Sequence, residues 1–240
     1  MMKDVVDGER YSRLLRQFRE DVTVYPVSCE KLAAGRTDRE WLDGVLAGGA
    51  RIVQLRDKLS RDALLLDKAR YFRKKTREAG ALFIINDRLD IALLANADGI
   101  HVGQKDLPPA EIRRLAPNML VGLSCNSVQD VAVLAQTLTK DPQLVSYFNI
   151  GPLYPTETKD GLLSFLGPEA IASFRRLCPL PFTVMGGIKF RHIDELIARG
   201  AQRIAVVTGI SKAQDIQAET ARWARAVSAA LQAHRPEKKE

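Results

Sequence analysis

The chain has 240 residues, 46% of them hydrophobic, with 16 glycines and 11 prolines, which allows a sizeable core and excludes a disordered or collagen-like chain. Its formal charge of +7 brings nucleic acid, membrane surfaces and small anions into view as partners. Residues 1–21 carry five basic and five acidic side chains and the segment from His234 nets only +1, so the excess sits on the body and a basic nucleic-acid-binding arm is excluded. Cys29, Cys125 and Cys178 form no Cys-x-x-Cys pair, and a reduced, cytoplasmic chain is expected. No apolar run approaches the ~18 residues of a membrane span, and the charged start has no signal-peptide core.

The first element is a neutral helical arm over residues 1–21, with Tyr11, Leu14, Leu15 and Phe18 at helical spacing. It is expected to pack on the outside or bottom of the body, or to serve as an interaction helix. Strands are predicted near 22–27, 52–55, 82–85, 99–102, 120–123, 144–150, 182–185 and 204–207, mostly as unbroken apolar runs of the kind buried on both faces. Between them lie amphipathic helices. One, from Ser60 to Ala79, carries Leu64, Leu65, Ala69 and Phe72; another starts at a capping Ser127 with Val128, Val131, Ala132, Ala135 and Leu138; the last, over 215–233, carries Ile216, Trp223, Val227 and Leu231. Pro108, Pro109 and Pro168 stand just ahead of further helical patterns. Eight strands each followed by a helix predict an α/β fold, a single (β/α)₈ TIM barrel over 22–234 with an extra N-terminal helix and a disordered tail at 235–240. A doubly wound open sheet would alternate in the same way, but the glycine-rich turn expected after its first strand is replaced by Ser28-Cys29-Glu30-Lys31.

A parallel barrel places its chemistry at the C-terminal ends of its strands. After the second strand comes Gln54-Leu55-Arg56-Asp57-Lys58, where alternation sends Gln54, Arg56 and Lys58 to one side. Two cations and an amide suit a diphosphate, and a solvated loop with stray charges reads equally well. Asn86-Asp87 follows the third strand and Asp106 lies beyond the fourth; two carboxylates on neighbouring strand ends suit Mg²⁺, with helix capping as the other reading. Ser124 ends the fifth strand, as a phosphate donor or a turn residue. After the sixth, Thr156-Glu157-Thr158-Lys159 reads as an anion-binding loop and lid, or as ordinary surface. Gly186-Gly187 and Val207-Thr208-Gly209 follow the seventh and eighth strands, where barrels often hold a phosphate. Two anion poles result, with Lys159 between them.

These residues carry a resemblance. Gln-Leu-Arg-Asp-Lys, Ile-Ile-Asn-Asp-Arg, Gly-Ile-His-Val-Gly-Gln-x-Asp, Gly-Pro-Leu-Tyr-Pro-Thr-x-Thr-Lys, Gly-Gly-Ile and Val-Val-Thr, in this order over about Val22 to Ile210, resemble the thiamine-phosphate synthase family. The resemblance implies a Mg²⁺-dependent transferase that joins a hydroxymethylpyrimidine diphosphate to a hydroxyethylthiazole phosphate, giving thiamine phosphate and diphosphate by a dissociative mechanism. It implies that the stretch Gln54, Leu55, Arg56, Asp57 and Lys58, with Asn86, Ser124 and Lys159, holds the pyrimidine diphosphate, although Asp57 itself should face away from the pocket. Arg56, Lys159 and Ser124 would act in catalysis. Asp87 and Asp106 would hold Mg²⁺, and Thr156, Glu157, Thr158, Gly187, Val207 and Thr208 the thiazole phosphate. It further implies small-molecule substrates and allows a homodimer, while charge placement and the lack of an apolar span lead to no nucleic-acid or membrane partner being expected.

The chain departs from the family pattern in places. Asp57 stands where Glu is usual, Ser124-Cys125-Asn126 replaces Ser-Thr-His, the lid at 160–166 is short, and Thr208-Gly209 replaces Ser-Ala. His101 is read as structural, and His192 and His234 as helix-surface residues. Two rivals stand beside the synthase. A thiazole tautomerase of the same fold would favour a histidine near Asn126, and a non-catalytic phosphate-binding regulatory module would need the pocket alone.

Overall fold

Runs such as Ile52–Leu55 and Gly99–Val102 are buried at every position, as strands are when one face lines a barrel interior and the other lies under helices. In this computed structural model the chain is described over residues 8–156 and 165–235. The order is α1 (Gly8–Glu20), β1 (Val24–Pro26), α2 (Asp38–Ala47), β2 (Ile52–Leu55), α3 (Asp62–Glu78), β3 (Leu82–Asn86), α4 (Leu89–Leu94), β4 (Gly99–Val102), α5 (Pro109–Leu115), β5 (Leu120–Cys125) and α6 (Val128–Leu138). There follow β6 (Tyr147–Ile150), α7 (Ala170–Leu177), β7 (Phe182–Val184), α8 (Ile193–Ala198), β8 (Ile204–Val206), α9 (Thr208–Ser211) and α10 (Ile216–Ala233).

The strands form one parallel sheet in the order β1-β8-β7-β6-β5-β4-β3-β2. Its two edges meet: Val27 bridges Gln54 in parallel, and Ser28 N donates to Gln54 O at 2.8 Å. The sheet is therefore an eight-stranded barrel, and the open-sheet alternative is excluded. All eight predicted strands are present; the first and sixth are shortened to Val24–Pro26 and Tyr147–Ile150, and the seventh and eighth each end one residue early.

Apolar packing falls into two bodies. Outside the sheet, Val53, Phe83, Val121 and Phe148 belong to one apolar body with Trp41 of α2, Phe72 of α3 and Trp223 of α10, in which Phe72 lies against Trp41 and Phe83. Inside it, Ile52, Leu82, Leu120 and Tyr147, each the first residue of its strand, meet Tyr11, Leu14 and Phe18 of α1. The arm thus closes the N-terminal end of the barrel. Phe18 stacks on Tyr147 with ring centroids 4.4 Å apart, and Arg203 donates to Phe18 O and Arg19 O at 2.9 and 2.5 Å, pairing carbonyls that a helix end leaves open.

Ser127 caps α6 as expected: its Oγ accepts from Asp130 N at 3.1 Å, and the Asp130 carboxylate accepts from Ser127 N at 3.0 Å. Two predicted core positions are corrected. Leu64 and Val128 are 51% and 54% exposed: Leu64 lies a residue off the stripe of Leu65, Ala69 and Phe72, and Val128 is the first residue of its helix. Burial there passes to Leu65, Ala69 and Phe72, and to Val131 and Leu134.

Candidate active site

The C-terminal strand ends open onto a cavity of about 480 Å³. Strand alternation turns Tyr25, Gln54, His101, Ser124, Asn149 and Thr183 toward it. A chain of hydrogen bonds crosses the floor. Gln54 Nε2 donates to Tyr25 Oη at 2.9 Å, and the Tyr25 and Tyr147 hydroxyls are 3.1 Å apart. His101 Nδ1 lies 3.1 Å from Tyr147 Oη, and its Nε2 lies 2.9 Å from Ser124 Oγ. Burial pushes the His101 imidazole down to about 4, so the ring is neutral and uses one nitrogen as donor and the other as acceptor. Burial also raises both tyrosines above the ordinary phenol range and keeps them protonated. Beside this chain, Thr183 Oγ1 donates to Asn149 Oδ1 at 2.8 Å.

One wall carries the predicted cations and acids together: Arg56, Lys58, Asn86, Asp87 and Asp106 all line the cavity. Ser28 Oγ accepts from Arg56 N at 3.0 Å and fixes the backbone there. Lys58 Nζ is 3.1 Å from Asp87 Oδ2. Asp87 sits at φ 61°, a left-handed conformation that Asp tolerates better than most residues. Burial pushes its carboxyl up; Lys58 opposes this and the facing Asp106 adds to it. Asp106 Oδ2 in turn accepts from Gly103 N at 2.7 Å.

On the opposite wall Thr156, Gly187, Val207 and Thr208 line the same cavity. Gly187 has φ 64°, and a Cβ there would lie 2.3 Å from Pro155 O, so only glycine lets the two loops approach. Glu157, Thr158 and Lys159 lie outside the described residues.

Two members of the predicted diphosphate-binding stretch do not line the cavity, which corrects the expectation for Leu55, while for Asp57 the outward turn is the expected one. Leu55 is 1% exposed and belongs to the apolar body outside the sheet. Asp57 turns away from the cavity, toward Lys68 at 2.7 Å. Both follow from alternation: they are the outward positions between Gln54, Arg56 and Lys58. Sequence reasoning set His101 aside as structural and passed over Tyr25, Tyr147, Asn149 and Thr183. The available signal was a polar residue at an inward register within an apolar strand.

Residues 24–210 match a family model described as thiamine monophosphate synthase. A thiamine-phosphate synthase of Methanospirillum hungatei is 38% identical over 205 residues, covering 85% of this chain and 97% of that protein. One of Shouchella clausii is 34% identical over 196 residues, covering 81% and 91%. Among solved structures, a thiamine phosphate pyrophosphorylase from Pyrococcus furiosus superposes with a TM-score of 0.79 at 27% identity, covering 89% of this chain and 99% of that one. Sequence, strand-end chemistry and fold agree: the chain belongs to the thiamine monophosphate synthase family.

Proposed function

We propose that the barrel mouth works as a thiamine-phosphate synthase, joining a pyrimidinylmethyl diphosphate to a hydroxyethylthiazole phosphate, with Arg56, Lys58 and Asn86 holding the diphosphate. The observation that carries this reading is a single cavity bearing a cation-and-acid wall opposite a wall of Thr156, Gly187 and Thr208. In the reaction the carbon–oxygen bond to diphosphate breaks, the pair leaves with the diphosphate, and the thiazole nitrogen supplies the pair for the new bond. Arg56, Lys58 and Lys159 neutralise the charge that grows on the leaving oxygens. Gln54 and Ser124 present polar atoms to the pyrimidine, and the wall with Thr156, Gly187, Val207 and Thr208 receives the thiazole phosphate, to which the family resemblance adds Glu157 and Thr158. The neutral His101 fits a mechanism that needs no catalytic base.

Asp87 and Asp106 would hold Mg²⁺. Their donor chemistry fits it: both are hard oxygen ligands lining the same wall, and burial with a facing carboxylate raises Asp87 against the opposing pull of Lys58. Bound there, Mg²⁺ supplies charge neutralisation at the diphosphate oxygens. The reading further takes the substrates to be small molecules and the enzyme to be a cytoplasmic homodimer with no nucleic-acid or membrane partner. Free Cys29, Cys125 and Cys178 support a reducing compartment, and among the described residues no helix is long and apolar enough to cross a membrane.

Incubating the protein with both substrates and Mg²⁺ is expected to release thiamine phosphate and diphosphate. No product with either thiazole tautomer would overturn the reading. Asp87→Ala and Arg56→Ala are each expected to lower turnover by about 100-fold or more while circular dichroism is unchanged; unaltered turnover would remove the metal and diphosphate assignments.

A further inference from the structure

We propose that Lys68, on α3 and outside the cavity, is a positioning residue for the diphosphate wall, acting through Asp57 on the backbone that carries Arg56 and Lys58. The proposal rests on the reading that those two cations hold the diphosphate. The Lys68 side chain is 11% exposed, and its ammonium meets three carboxylates: Glu30, Asp38 at 2.9 Å and Asp57 at 2.7 Å. The three acids lie within 4.8 Å of one another, close enough to surround a metal ion. An ammonium has three N–H donors, and here each faces an acid from a different segment. Glu30 comes from the turn after β1, Asp38 from the start of α2, and Asp57 from the β2–α3 loop.

Asp57 is the member that reaches the site. Its Oδ2 takes Lys68, and its Oδ1 accepts from Leu59 N at 3.0 Å and Ser60 N at 2.9 Å. The chain therefore turns immediately after Lys58, in a shape set by one outward carboxylate. With Asp57 held outward just past β2, its neighbours Arg56 and Lys58 on either side line the cavity. The bond from Arg56 N to Ser28 Oγ at 3.0 Å holds the other end of the same stretch.

Energetics favour a geometric role. Three carboxylates around one ammonium leave the cluster net negative, and Asp38 Oδ1 is buried without a hydrogen-bond partner. Buried ion clusters of this kind contribute little stability over apolar residues of the same shape. What this one delivers is a defined backbone beneath two phosphate-binding cations. Burial alone would push the Asp57 carboxyl up, yet Lys68 and the Ser60 and Leu59 contacts outweigh it and hold the group well below the ordinary carboxylate range. The contact is therefore charged on both sides throughout the neutral range.

The test compares Lys68→Met, Lys68→Arg, Asp57→Asn and Arg56→Ala by steady-state kinetics, and by calorimetric titration with inorganic diphosphate and Mg²⁺. Lys68→Met and Asp57→Asn are expected to raise the KM for the pyrimidine diphosphate and the Kd for diphosphate by about 10-fold or more, leaving the KM for the thiazole phosphate within about twofold. Lys68→Arg is expected to recover most of the loss. A fall in kcat that tracks the folded fraction, with both KM values unchanged, would show a merely structural role and overturn the proposal. Should Lys68→Met fail to fold, Asp57→Asn, which keeps the ammonium, decides the question. If Arg56→Ala weakens diphosphate binding and neither Lys68→Met nor Asp57→Asn does, the positioning role alone fails. If Arg56→Ala leaves diphosphate binding intact, the reading of the wall fails and the proposal with it.

Discussion

At Gly122, in the middle of β5, a Cβ would lie 2.3 Å from Tyr147 Cζ and 2.4 Å from His101 Nδ1. The missing side chain is the space in which the Tyr147 ring and the imidazole meet. Gly122→Ala is expected to cost about 1–3 kcal/mol, as overpacking of a close-fitted interior does, and to separate Tyr147 from its hydroxyl partners. Urea denaturation checks this, and a variant as stable as the parent would mean that the ring has room to move. This part of the floor was illegible in the sequence for a definite reason. Gln54, Arg56 and Lys58 share a face by local alternation, which sequence alone displays. Tyr147 and His101 meet across two different strands, a contact that depends on β4, β5 and β6 lying side by side in register. No spacing along the chain encodes that.

Among the elements, α1 has the most distinctive role. Its Phe18 is fully buried, and the ring it stacks on belongs to Tyr147, whose hydroxyl lies 3.1 Å from both Tyr25 Oη and His101 Nδ1. Phe18→Ala is expected to lower unfolding free energy by about 3–5 kcal/mol, the range for deleting a buried aromatic ring. A loss below about 1 kcal/mol in chemical denaturation would show that α1 sits on the barrel without being part of its core. The helical period of Tyr11, Leu14 and Phe18 was readable and the bottom of the barrel was among the expected places for it, but the choice between that and an interaction helix was open, since an amphipathic stripe names no partner. The strands were more legible, because β-branched runs bounded by turns have few other uses. Helix faces read correctly except at Leu64, a residue off the buried stripe of α3, and Val128, the first residue of α6, which both face solvent.

For the molecule as a whole, acid stability turns on buried groups of opposite sign. His101 is lowered to about 4 from an ordinary 6.5, so the unfolded chain takes the proton more readily; its contribution is complete above the unfolded value and is lost as pH falls toward 4. Asp38 runs the other way. Burial first, opposed by Lys68, lifts its carboxyl to about 6 from 3.8, so its contribution is present below the unfolded value and lost as pH rises through 6. The two slopes offset each other in the intact protein, and a difference measurement separates them. Between about pH 7 and pH 4.5, the stability of the parent relative to His101→Gln is expected to fall by about 2 kcal/mol. A difference that does not change with pH would mean that His101 does not titrate as a buried neutral imidazole. Shape at this scale also has a kinetic meaning. With Phe18 and its helix stoppering the N-terminal end, the barrel becomes a flask with its neck at the strand tips. Apolar side chains of the strands and of α1 fill the barrel below the cavity, so whatever comes and goes does so at the strand tips and not along the barrel axis.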